Sequence, residues 1–295
     1  MESLRRGYQF LLQSWQMAFT DRDLIKPTLI ALVVGFFVTV IGSVPVIMTF
    51  LAFGDSTVGR VLGYVLGALL VFVQFVVTYI FSAMTIYLVY GYLSEGDGRM
   101  DRAWSVVGRD FFDILSLAAA STAVSLLKSL IRGRGNRGGR NFLAGLVDTI
   151  WTEATYLVLP AMVIEDIGLR DGLRRATQIV RENLLLVGIS LVGVRTLTGL
   201  IGILLGGSGI ALGLGVSLGL ISLTNQATLG MVAGIGLGVF IALIFILLAV
   251  VIGSYTTTAY HACLYIWARD VEKARQSGQS EQMVRAPAPL AAALR

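Results

Sequence analysis

The sequence predicts an all-α polytopic membrane bundle of six transmembrane helices, with three amphipathic helices on its cytoplasmic surface. Three observations predict it. Residues 27–54, 61–94 and 196–268 contain no Asp, Glu, Lys or Arg, and each run exceeds the roughly 20 apolar residues needed to cross the hydrocarbon. Charged residues are 14% and hydrophobic residues 56% of the 295, against about a quarter charged in a soluble domain. Short amphipathic stretches recur between the apolar runs.

Residues 3–20 place Leu4, Tyr8, Leu11, Trp15 and Ala18 on one helical face, with Arg5, Arg6, Gln9, Gln13 and Gln16 largely elsewhere. That segregation suits a helix lying in the membrane interface. Asp21 or Asp23 can cap the next helix, with Pro27 in its first turn. The first span follows at about 25–52, a Gly54-Asp55-Ser56 turn, and a second span at about 59–93 ending in the interfacial tyrosines Tyr87, Tyr90 and Tyr92. Residues 99–112 repeat the amphipathic pattern with Trp104, Val107, Phe111 and Ile114 on one face, and a third span is predicted at about 112–131. A Gly- and Arg-rich loop, 132–140, leads to a fourth span at about 142–164. The third surface helix, about 169–182, aligns Leu169, Leu173, Ala176 and Val180 opposite Arg170, Arg174, Arg175, Gln178 and Arg181.

A fifth span is expected at about 184–205; the Gly-rich residues 206–228 that follow read either as a short extra helix that does not cross or as a further crossing. The sixth span lies within about 229–267, its inner end carrying Tyr255, Tyr260, Tyr265 and Trp267. Residues 1–270 therefore form a single membrane domain, and 271–295, polar and then Pro- and Ala-rich, are expected to be a mobile tail. The chain reads as three units, each a surface helix followed by a two-span hairpin. Thr85, Glu95, Gly98 and Asp101 recur 70 residues later as Thr155, Glu165, Gly168 and Asp171, and the repeated hydropathy pattern is the fuller argument.

The net charge is +5, with 20 Arg against 3 Lys. In a chain of this hydropathy (mean +0.79) such an excess serves orientation and anionic headgroups, and no basic–aromatic soluble module carries nucleic-acid binding. With both termini and the surface helices in the cytoplasm, 16 Lys and Arg lie inside and six outside, while Arg195 falls within a span. Five of those six, Lys128, Arg132, Arg134, Arg137 and Arg140, crowd one outer loop. A charged amphipathic segment precedes a first apolar run too long for a signal-peptide core, so that span is expected to stay in the mature protein. The lone Cys263 excludes an internal disulfide and a multi-cysteine metal site.

The opening RRGYQFLLQSWQMAFTDRDLIKPTL, the stretch TYLVLPAMVIEDIGLRDGLRRATQIVREN and the ending TTTAYHACLYIWARD resemble an uncharacterised six-span prokaryotic membrane family. The layout is similar to the membrane domain attached to some glycerophosphodiester phosphodiesterases and to YciC-type inner-membrane proteins. The resemblance covers most of residues 1–270, its motifs are architectural, and it implies no catalytic residue and no cofactor.

Gly133, Gly135 and Gly138 match GxGxxG formally, but no strand precedes them, so they are not a dinucleotide fingerprint. Gly59, Gly63 and Gly67, and separately Gly230, Gly234 and Gly238, form GxxxGxxxG faces that let helices approach closely, within the bundle or between subunits. His261, the one histidine, has no nucleophile or metal-ligand set around it, and no catalytic or metal residues are assigned.

The sharpest signal is charge at bilayer depth. Glu153 and Arg195 fall near the middle of consecutive spans, where a lone charge costs several kcal/mol, and pairing would relieve both. Asp148 is placed to pair with Lys128, and Gln74 to join the patch. Such a pair serves structure, a substrate or proton site, or a partner contact. Arg170, Arg174, Arg175 and Arg181 are the candidate headgroup ligands. The leading expectation is a non-enzymatic membrane scaffold or accessory subunit with lipids, a membrane-protein partner or a second copy as partners. The alternatives are a small-molecule or lipid transporter using Glu153 and Arg195, and an enzyme acting on lipid.

Overall fold

The computed structural model describes residues 2–54, 56–132, 139–182, 184–223, 228–280 and 284–294. Ten α-helices and one 3-10 turn account for nearly all of them, with no strand. In order they are α1 (Glu2–Thr20), a 3-10 turn (Arg22–Leu24), α2 (Lys26–Phe53), α3 (Thr57–Glu95), α4 (Met100–Arg109), α5 (Phe111–Arg132), α6 (Gly139–Glu165), α7 (Leu169–Glu182), α8 (Leu184–Leu223), α9 (Thr228–Gln276) and α10 (Ala288–Leu294). The fold is an all-α membrane bundle. Five helices are long and apolar enough to span a bilayer: α2 with its preceding turn, α3, α5, α8 from Thr198 and α9 from Gly230. The 27-residue α6 has the length of a sixth span, and Ala154–Glu165 within it is apolar. α1, α4 and α7 are the three amphipathic helices that the sequence predicts.

The long helices overshoot the membrane. The 39 residues of α3 rise about 58 Å and the 49 of α9 about 73 Å at 1.5 Å per residue, against roughly 30 Å of hydrocarbon. The chain divides into two compact units, and each has its own core.

The unit formed by residues 17–184 and 261–287 buries Ala83, Met84, Leu88 and Val89 of α3, Val106 and Val107 of α4, Leu117 and Ala118 of α5, and Leu157 to Val163 of α6. Ile179 of α7 packs there with Ala161, Tyr265 and Ala268. By contrast α2 buries only Pro27, Thr28 and Thr49, and the rest of its residues are half-buried or exposed. The other unit, residues 1–16, 185–260 and 288–295, buries Phe10, Ser14, Tyr255, Ala259, Tyr260 and Leu290. Phe10 meets Tyr260 edge-on at 5.2 Å, Trp15 meets Tyr255 at 5.6 Å, and the Trp15 indole donates to Thr256 Oγ1 at 3.1 Å.

One expectation changes. Residues 206–223 belong to the single 40-residue helix α8 rather than to a separate short helix. The glycines there are used for packing. A Cβ on Gly209 would lie 2.4 Å from Phe245 Cβ, and one on Gly213 would lie 2.3 Å from the Gly238 carbonyl oxygen. A helix is continuous across glycine when tertiary contact outweighs their propensity cost of about 1 kcal/mol each. The chain after the last span is partly helical. α9 runs on to Gln276, closes at Gly278 with φ +70°, and is followed by α10, whose Leu290 is fully buried.

The internal repeat has a geometric counterpart. α3 ends at Glu95 with Gly96 in the left-handed region (φ +81°), and α6 ends at Glu165 with Asp166 at φ +55°. Two residues later, Gly98 and Gly168 lead into α4 and α7. An aspartate from the start of the preceding hairpin holds each entry. Gly98 N–H donates to Asp21 Oδ2 at 2.7 Å, and Leu169 N–H to Asp113 Oδ1 at 3.4 Å. A Cβ at either glycine would meet that same carboxylate, at 2.8 Å and 3.1 Å. Asp113 thereby reaches the first N–H of α7, an orphan donor where the helix dipole also favours negative charge, while Asp21 holds the backbone two residues before α4.

Candidate functional site

Polar side chains inside the unit of residues 17–184 and 261–287 gather in two constellations. The first ties α6, α7 and α9 together. Arg175 stands between two carboxylates, with Nε 3.2 Å from Glu165 Oε2 and Nη2 paired to Glu272 Oε2. Gln178 and Gln276 amides both donate to Glu272 Oε1 at 3.4 Å. The three charged side chains are only 15–23% exposed. Beside them the fully buried Tyr265 hydroxyl lacks a hydrogen bond of good geometry. The Glu272 hydrogen bond, and then Glu165, hold the Arg175 guanidinium further in its charged form than usual. Helix periodicity explains why Arg175 faces inward. It lies three residues from Gly172 and four from Ile179, both buried, whereas Arg170 and Arg174 point outward. Gly172 makes this docking possible, since a Cβ there would lie 3.1 Å from Met162 Cγ.

The second constellation links α3, α5, α6 and α9. Tyr79 Oη and Ser121 Oγ are 2.7 Å apart, and the Trp151 indole donates to the same Ser121 oxygen at 3.0 Å. Thr155, buried on α6, stands beside Tyr79. The neighbouring Tyr156 ring stacks on His261, with centroids 4.1 Å apart and planes 9° from parallel. Nothing in the sequence pattern marks Tyr79, Ser121 or Trp151. Each belongs to a different helix and is polar at one atom only, so hydropathy does not separate them from core. The available signal was the density of hydroxyl and aromatic residues in otherwise aliphatic spans.

A third pairing closes the junction of α4 and α5. Arg109 bonds Asp110 at 2.7 Å and Asp166 at 2.9 Å, and Asp110 raises the Arg109 guanidinium above its ordinary range.

The sequence-predicted residues distribute as follows. Gln74, expected to join the buried charges, is used between two helices. Its amide donates to the Gly35 carbonyl at 2.9 Å and to Thr39 Oγ1, bridging α3 to α2. Arg175 leaves the headgroup set, because its guanidinium is committed to Glu165 and Glu272. Arg170 and Arg174 are exposed or nearly so and form no ion pair with a described residue. The side chains of Asp148, Glu153, Arg181 and Arg195 lie outside the described residues, as do Gly133, Gly135 and Gly138; Lys128 is half-buried on α5. Gly59 and Gly63 pack against Phe53 and Phe50, while Gly67 faces open space. Gly230 is buried, and Gly234 and Gly238 pack against Ser217 and Gly213 of α8. Cys263 is buried, and among the described residues no three His, Cys, Asp or Glu side chains converge. No protein-family description matches this chain, and no curated protein matches it.

Proposed function

We propose that this chain is a non-enzymatic integral membrane protein that acts as a scaffold or accessory subunit, in the cytoplasmic membrane of a prokaryote with both termini inside. The carrying observation is how its polar side chains are used. Glu165, Arg175 and Glu272 join three helices, Asp21 and Asp113 hold the entries to two amphipathic helices, and Gln74 bridges a hairpin. Each is a strut between elements. The basic asymmetry supports the orientation, and Arg170 and Arg174 are the cations left for anionic headgroups. A partner membrane protein or a second copy completes the reading, and membership of the six-span family that the layout resembles belongs with it.

A transporter is the second reading. The polar line from Ser121 through Tyr79 to Tyr156 and His261 favours it, since polar groups at bilayer depth mark substrate paths by default. Glu153 lies on α6 between Trp151 and Thr155. Purification in mild detergent, paired with solute flux in proteoliposomes, separates the two. A scaffold co-purifies with a membrane protein in fixed ratio, and Glu153→Gln leaves that ratio unchanged. A chain that purifies alone and carries a flux abolished by Glu153→Gln overturns the scaffold.

A further inference from the structure

No further inference is drawn: the strongest candidate, the apolar groove between α2 and α3 walled by Phe37, Ile41, Leu66 and Leu69, is an unpartnered face, and nothing in the structure shows what covers it.

Discussion

Arg175→Met isolates the knot between α6, α7 and α9. Methionine keeps most of the apolar stem and removes the guanidinium, so the variant leaves Glu165 and Glu272 facing each other at 23% and 15% exposure. Breaking a fully buried pair costs about 3–5 kcal/mol, whereas an exposed pair contributes about 0–1. Partial exposure places this one between, at about 2–3 kcal/mol, most of it from uncompensated carboxylates and not from a lost attraction. The triple variant Arg175→Met, Glu165→Gln, Glu272→Gln removes all three charges and recovers more than half of the loss. Denaturant unfolding in mild detergent, followed by tryptophan fluorescence, measures both. Hydrogen exchange locates the change, with protection falling first over 169–179. A single variant within about 0.5 kcal/mol of wild type, below the value of a partly buried pair, refutes the knot as a strut. A triple variant no more stable than the single one refutes the charge argument, because loss of packing alone then explains the effect.

The remaining expectations test other joints. Asp21→Ala and Asp113→Ala each remove a carboxylate that holds a helix entry, at about 1 kcal/mol apiece, and hydrogen exchange loses protection at Gly98 in the first and at Leu169 in the second; unchanged protection refutes remote capping. Gly213→Val and Gly238→Val drive a side chain into a carbonyl 2.3 Å away and lower the unfolding midpoint sharply, whereas Gly67→Ala, which meets open space, leaves it within about 0.5 kcal/mol or raises it slightly. For orientation, single cysteines in a Cys263→Ser background are labelled from outside the cell; Ser56→Cys reacts and Ser94→Cys does not, and the reverse pattern inverts the topology.

Periodicity explains both what was legible in the sequence and what was not. α1, α4 and α7 could be read because an amphipathic stripe between charge-free runs has no other stable arrangement. α8 was misread where glycine is dense. Propensity counts each of those glycines as a loss, yet the close approach to Gly238 and Phe245 is possible only because they have no side chain. The binary pattern shows that residues are small, not that a partner helix fills the space. Arg175 shows the same limit at one residue. Its charge groups it with Arg170 and Arg174, while its register groups it with Gly172 and Ile179, and register wins because Glu165 and Glu272 compensate the buried charge. Neither carboxylate is adjacent in sequence, so only the fold brings the three together. The same reasoning covers Asp21 and Asp113. Asp21 was legible as a cap for its own neighbouring turn, and it does accept from Asp23 N–H at 2.9 Å. Its second oxygen accepts from Gly98 N–H, 77 residues away on the approach to α4, and that use follows from the repeat of hairpins, not from any local motif.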